Sequence, residues 1–280
     1  VPFEYRQSGT LEVAEDAERA ATLKARVAAA EHHAHLQWIE RDRLQNQAPL
    51  IRDGCEGALS CPLPRCVSVL SFVPAHEDAA TRLGATSIHG PARSIEVRTK
   101  RVTVTTEDEK VFDTVVLAAG AWTPQIDPLG RTNGEIRPVR GQLVRLKSPR
   151  LRDAPIIWGR NCYIVPWQEG TVLVGATAEE ADFDVRATSA GVRGLLEAAE
   201  DLVPALASAT FVDVRVGLRP ASKDELPILG PGEDPRIVYA AGHFRNGVLL
   251  APVTAQLVAN FILEGVEDPT FTARAREKGA

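Results

Sequence analysis

The stretch from Ile237 to Gly265 constrains the fold more than any other part of this 280-residue chain. Ile237 to Ala241 is a short apolar run with β-branched residues, the pattern of a buried strand. Gly242 and Gly247 bracket His243, Phe244, Arg245 and Asn246, a tight polar loop in which backbone can approach a ligand closely. From Val248 the spacing becomes helical: Leu250, Val253, Leu257, Val258, Phe261 and Ile262 fall on one face, and Gly265 is placed to stop the helix. Pro252 suits such a helix only in or near its first turn. Strand, loop and helix N-terminus together aim free backbone N–H groups and the positive dipole end at something electron-rich. An ordinary strand-to-helix connection fits the same residues, so the stretch alone leaves both readings open.

A second constraint comes earlier. Val115-Val116-Leu117-Ala118-Ala119-Gly120-Ala121-Trp122 is an unbroken apolar run ending in small residues, which suits a central parallel strand whose C-terminal end, at Gly120, meets a ligand. Between these two βα-type regions the character changes to antiparallel sheet. Strands are expected at Gln142 to Leu146, Cys162 to Trp167, Thr171 to Ala176 and Thr210 to Val216, with a helix from Val192 to Leu206 bounded by Pro204. This unit looks inserted into the βα material, not appended to it.

The N-terminal third is less regular. A strand is expected in Gly9 to Ala14 and a helix from Asp16 to about Leu36. Residues 44–62 read as loop and short elements. Pro62, Pro64 and Pro74 break any period between Cys61 and Pro74, so no element is assigned there. Leu83 to His89 reads as a helix end, a glycine stop and a strand. Ser94 to Val97 and Arg101 to Thr105 form a β-ribbon.

Composition narrows the classes of function. Hydrophobic residues make up 44%, charged residues 25%, and the net charge is −5. That is a globular balance with no general affinity for nucleic acid or membrane. No apolar run looks long enough to cross a bilayer, and no signal-peptide pattern is present. Cys55, Cys61, Cys66 and Cys162 are too few and irregular for a disulfide scaffold, so reduced thiols in the cytoplasm are expected. His32, His33 and His35 sit near a helix end, but no further ligand follows at suitable spacing and no metal site is expected. The chain opens Val1-Pro2-Phe3 and contains no methionine, which suggests an N-terminally truncated sequence.

Three side chains stand out as binding candidates. Gly217-Leu218-Arg219-Pro220 follows the last sheet strand; Pro220 restricts the conformation of Arg219, and a guanidinium held this way can grip a carboxylate by two parallel hydrogen bonds. Pairing with Asp213 or Asp224 is the structural alternative. Tyr163 and Val165 share one strand face, Ile164 and Pro166 the other, so the phenol could line a cavity. Arg245 is the second candidate cation. No nucleophile–base set, Walker sequence or H-E-x-x-H is present, and the pattern points to chemistry done by a cofactor.

Together these segments resemble the FAD-dependent D-amino acid oxidase superfamily, and within it the glycine oxidases of the thiamine pathway. The motifs are Val115–Trp122, Arg137-Pro-Val-Arg-Gly-Gln142, Tyr163-Ile-Val-Pro166, Val174-Gly-Ala-Thr177, Gly217-Leu-Arg-Pro220 and Gly242-His-Phe-Arg-Asn-Gly-Val-Leu-Leu-Ala-Pro252. The resemblance implies an α/β plus α+β fold: an incomplete Rossmann-like FAD-binding domain with an interleaved antiparallel-sheet substrate domain. Residues 1–60 and 135–217 would form the substrate domain, and 61–134 and 218–280 the FAD-binding domain. Arg219 matches the carboxylate-binding arginine, Tyr163 a tyrosine that helps position the carboxylate, and Arg245 a residue beside flavin and substrate. His243, Phe244, Arg245, Asn246, Gly247, Val248 and Leu249 match the stretch lining the isoalloxazine, with Gly120 and, on the adenine side, Ala92 as further FAD contacts. Implied partners are a small amino acid or amine and molecular oxygen; a homo-oligomer is left open.

The implied reaction passes a hydride from the substrate α-carbon to flavin, oxygen reoxidises the flavin, and the imine hydrolyses. It needs no protein base, so no catalytic residue is assigned. The strand and G-x-G-x-x-G that hold the FAD diphosphate in the family are absent from the sequence, a loss of at least one unit of roughly 30 residues. Residues 62–82 should carry a helix but are broken by prolines. Ala178 stands where glycine oxidases can place methionine near the substrate, which bears on the preference for glycine. Two other readings fit the residues: a non-catalytic remnant or binding module, and a dehydrogenase passing electrons to an acceptor other than oxygen.

Overall fold

The computed structural model describes residues 3–30 and 35–271. His32 and His33 lie outside the described residues. In chain order the elements begin with β1 (Tyr5–Gln7), β2 (Thr10–Ala14), α1 (Ala17–Ala29), β3 (Gln37–Glu40), α2 (Arg41–Gln47), β4 (Gly57–Cys61), β5 (Arg65–Val67) and α3 (Val69–Arg82). Then come β6 (Ser94–Val97), β7 (Val102–Thr105), β8 (Glu109–Phe112), β9 (Val115–Leu117), α4 (Thr123–Ile126), β10 (Ile136–Lys147), β11 (Ile156–Trp158), β12 (Tyr163–Pro166) and β13 (Thr171–Gly175). The last are α5 (Ser189–Leu202), β14 (Thr210–Ser222), β15 (Ile228–Pro231), β16 (Ile237–Ala241) and α6 (Gly247–Glu264). Packing divides them into two units. One holds Val1–Ala85, Gly141–Ala178 and Val185–Gly217; the other holds Thr86–Arg140, Glu179–Asp184 and Leu218–Ala280.

The first unit is built on an eight-stranded sheet in the order β14-β10-β13-β12-β11-β2-β4-β3. From β10 to β3 neighbours pair antiparallel except β11 with β2, which run parallel. Alternation explains the register: Val172 and Val174 on β13 are fully buried while Thr171 and Leu173 are half-exposed, as one covered face requires. Ile164 on β12 and Leu202 on α5 join the same core, and burial of each such side chain contributes about 1.5–3 kcal/mol. α5 is fixed at its start by two polar devices. Its N-cap Thr188 accepts from Gly191 N, and the fully buried Gln142 side chain donates to Thr188 Oγ1 (3.0 Å) and accepts from Thr188 N (2.8 Å).

Residues 61–85 also belong to this unit. β5 pairs antiparallel with β1, and the N-cap Ser68 of α3 donates its N–H to Glu4 O. The helix expected by resemblance in 62–82 is therefore present, with Pro74 inside it. Its period was unreadable because Pro62 and Pro64 precede the helix and Pro74 removes one backbone donor from its second turn without ending it.

The second unit carries two small sheets. β6, β7 and β8 form an antiparallel meander, of which β8 was not anticipated. The other sheet has the order β15-β16-β9, with β16 parallel to β9 and antiparallel to β15. β9 is parallel, as expected, and spans three residues; among the described residues its one hydrogen-bonded neighbour is β16. Ala119 leaves the extended region and Gly120 takes φ +58°, turning the chain into a short 3₁₀ segment. The strand expected at the end of Leu83 to His89 is absent as well; those residues are irregular.

α6 departs from expectation in three ways. Pro252 sits beyond the first turn. The large residues expected on one packed face split: Leu257, Val258 and Phe261 pack toward Leu229 and Val238, whereas Val253 and Ile262 are exposed. With 18 residues and mean hydropathy 1.5, α6 is also long and apolar enough by length and composition to cross a membrane, contrary to the estimate from sequence.

Candidate functional site

β9 and β16 are parallel, so their carboxyl ends lie side by side, the position where open α/β sheets take ligands. From those ends run Ala118–Trp122 and the loop 242–246. A cleft of about 480 Å³ lies there, lined by Val116, Ala118, Gly120, Pro220, Ala240, Ala241, His243, Gly247, Ala251, Thr254, Ala255 and Val258. Most of these are small or apolar, giving smooth walls.

The loop is shaped by backbone. Gly242 has φ +73° and Phe244 φ +48°, conformations that cost a non-glycine residue unless its neighbours hold it. Here they do. Phe244 N donates to Pro220 O at 2.9 Å, Ala221 and His243 form an isolated antiparallel bridge, and Asn246 N donates to His243 O at 2.9 Å. The end of β14, with half-buried Arg219, is therefore tied directly to the loop.

Asn246 makes no side-chain cap, so the N–H groups of Gly247, Val248 and Leu249 have no partner within the helix, as in any first turn. They carry the positive end of the helix dipole. His243 is the one titratable residue lining the cleft. Its Nε2 lies 3.0 Å from Thr254 Oγ1, and burial pushes its pKa down, so the ring is neutral near pH 7.

Gly120, His243 and Gly247 are thus brought together. Phe244 is half-buried in the loop, while Arg245, Asn246, Val248 and Leu249 are exposed around it. Ala92 lies half-buried in the irregular segment before β6 and is not among the cleft residues. In the other unit, Tyr163 is half-buried on β12. Its ring centroid lies 5.1 Å from that of Trp158, the two rings tilted by 50°, and a Cβ on Gly175 would lie 2.5 Å from it, so only glycine there admits the phenol. Asp213 pairs with Arg145, and Asp224 accepts from Leu226 N.

Sequence reasoning missed the helix side of the cleft. With Gly247 and Val258, which were already named, Ala251, Thr254 and Ala255 share one helical face. The search for large apolar residues passed over them. Arg140, within the Arg137–Gln142 motif, proves structural: it is buried and ion-paired to Glu179 and Asp184.

An aromatic ring system with one electron-rich edge fits this cleft. A Cβ placed on Gly120 would meet nothing within 4 Å, and one on Gly247 only His243 Cβ at 3.7 Å. That leaves an open, flat cradle beside a helix N-terminus, suited to the flavin end of FAD.

Comparison with known proteins agrees. Residues 1–261 match the profile of the DAO family, described as FAD dependent oxidoreductase. A bifunctional protein ThiO/ThiG from Nostoc sp. is 42% identical over 161 residues, 56% of this chain and 24% of that protein. A glycine oxidase from Geobacillus kaustophilus is 32% identical over 233 residues, 81% of this chain and 62% of its own. The crystal structure of glycine oxidase from the same organism superposes with TM-score 0.88 at 30% identity, covering 95% of this chain and 73% of that one. The chain spans about a quarter to just under two thirds of the length of these two curated relatives.

Proposed function

Because the chain belongs to the DAO family of FAD-dependent oxidoreductases, we propose that it is part of an oxidase of the glycine oxidase and ThiO type. The reaction assigned to it is oxidative deamination of glycine or another small amino acid or amine, giving the oxo acid, ammonia and hydrogen peroxide, within thiamine biosynthesis. The observation that carries this reading is the cleft at the ends of β9 and β16, with the uncapped start of α6 on one side and the Arg219 strand tied to its loop.

When bound, FAD supplies an acceptor for the hydride equivalent leaving the substrate α-carbon. The chain's own groups bind and orient. Gly247, Val248 and Leu249 would offer N–H groups to the electron-rich edge of a bound flavin. His243, kept neutral by burial, leaves that dipole as the positive element of the cleft. Arg219 holds the substrate carboxylate through paired charge-assisted hydrogen bonds. Tyr163, its ring placed by Gly175 and Trp158, is the tyrosine that the family resemblance assigns to the substrate. No protein base is assigned: a substrate with a neutral amine gives hydride from its α-carbon directly.

The test is purification of the protein from its complete coding sequence, with measurement of flavin absorbance and of peroxide released from glycine, sarcosine and D-alanine. Bound flavin with peroxide from at least one of these is expected. Protein with neither would overturn the reading; flavin reduction without peroxide would replace oxygen by another electron acceptor.

A further inference from the structure

The connection from β13 to α5 carries a loop, residues 179–184, that packs within the second unit. Both ends of this loop are bound to Arg140. Arg140 N donates to Glu179 O at 2.8 Å, and Glu179 N donates to Arg140 O at 3.0 Å. The buried Arg140 guanidinium reaches the Glu179 carboxylate through Nε at 3.2 Å and the Asp184 carboxylate through Nη1 at 3.2 Å. Between these ends Asp182 takes φ +47° and Asp184 N donates to Ala181 O at 3.0 Å, so the chain turns tightly back on itself. Arg137 Nε adds a bond to Glu180 Oε1 at 3.1 Å. A buried guanidinium with a carboxylate at each end of a loop is a rigid anchor. It offsets the entropy lost in ordering the loop, and with it the side chain of Phe183.

Phe183 is laid against Trp122. The two ring centroids lie 5.9 Å apart and the rings are tilted by 41°. Trp122 closes the 3₁₀ segment that starts at Gly120, the residue lining the cleft just beyond β9. Hydrogen bonds of this segment close on the segment itself: Trp122 N donates to Ala119 O at 3.1 Å, and Thr123 Oγ1 donates to Gly120 O at 2.9 Å. Gly120, at φ +58° and with open space where a Cβ would stand, has no side chain to hold its own position. Its neighbours must do so. Buried Ala121 and Thr123 secure the inner side of the turn, and Trp122, 47% exposed, is the outer side chain that Phe183 covers. We propose that Phe183 is a positioning residue for FAD: fastened by Arg140, it sets Trp122, and through Trp122 the turn that presents Gly120 to the cofactor. This rests on the reading of the cleft as a flavin site. An aromatic pair of this kind is worth about a fivefold change in an equilibrium constant. Phe183 is itself 40% exposed, so its removal takes little from the core and an effect on the cofactor separates from one on stability.

The test uses the complete protein, freed of flavin and titrated with FAD, with urea midpoints of the apoproteins measured alongside. Phe183→Ala is expected to raise the Kd for FAD about fivefold and to leave the urea midpoint in place. Phe183→Tyr keeps the ring and is expected to bind FAD as the wild type does. In a Trp122→Ala background, Phe183→Ala should have no further effect, because its action passes through the indole. A Phe183→Ala protein with wild-type affinity overturns the proposal. So does a loss of affinity that persists undiminished without Trp122, or one that Phe183→Tyr shares. A wild-type protein that binds no FAD overturns the flavin reading of the cleft and this inference with it, whereas the other failures leave that reading standing.

Discussion

The two units hold themselves together by different means. The first relies on apolar packing: one broad sheet, with Leu151, Ile164 and Leu202 at 1% exposure or less, and polar anchors such as Gln142 serving mainly to start α5. The second divides its strands between two small sheets and leans on buried polar groups. Asp127 accepts from Leu129 N, from Thr132 N and Oγ1, and from the hydroxyl of fully buried Tyr239. Arg140 is buried against Glu179 and Asp184. The difference follows from what each has to leave open. A cleft lined by Gly120, Ala240 and Ala251 cannot also be filled with large side chains, so rigidity there has to come from directional bonds.

That contrast can be broken by deletion of one group from each side. Arg140→Ala leaves two acids beside a buried site and should cost about 4 kcal/mol, whereas Arg145→Ala, which removes a half-exposed pair with Asp213, should cost about 1 kcal/mol or less. Urea denaturation of the two variants decides it; equal losses would erase the distinction. Next in size is the apolar counterpart. Leu202→Ala, in the first unit, should cost about 3 kcal/mol and Val258→Ala, beside the cleft, about 1 kcal/mol. A reversed order in the same assay would mean that α6 is held more tightly than its single buried residue suggests.

A third change sharpens the role of the small residues. Ala251→Leu extends a side chain into the cleft without disturbing the sheet beneath. Flavin retained by the complete protein after gel filtration should fall about tenfold in affinity, while the urea midpoint of the apoprotein stays unchanged. Loss of stability without loss of flavin would assign Ala251 to packing alone.

How much of this was legible depended on what each residue has to do. β16, its loop and α6 were readable because β-branched runs, paired glycines and helical spacing are local signals. The strands of the antiparallel region were readable for the same reason, since alternation such as Thr171 to Gly175 encodes its own buried face. The pairing of β9 with β16 was not, because Val-Val-Leu is equally apolar whatever strand lies beside it; pairing partners are non-local. α3 was hidden because Pro74 is a statistical helix breaker, although one missing donor is tolerated when the helix is fastened by Ser68 and Glu4. The middle of the cleft face of α6 was overlooked because alanine signals little by hydrophobicity, while the helical spacing of Ala251 and Ala255 from Gly247 carried the information.

The smallest expected effect separates the units by pH. His243 is the cleft's titratable group, and burial lowers its pKa below the unfolded value of about 6.5. Between those two values the unfolded chain binds more protons than the folded one, so stability rises with pH there. Equivalently, the contribution is fully present above pH about 6.5 and is lost as pH falls through the folded pKa. Urea midpoints of wild type and His243→Gln, compared at neutral pH and in steps toward pH 5, should converge on acidification only if this ring is responsible. The glutamine keeps a polar partner for Thr254 but has no proton to gain. A wild-type chain whose acid sensitivity survives the substitution unchanged would place the titrating group elsewhere and leave the cleft electrostatically passive.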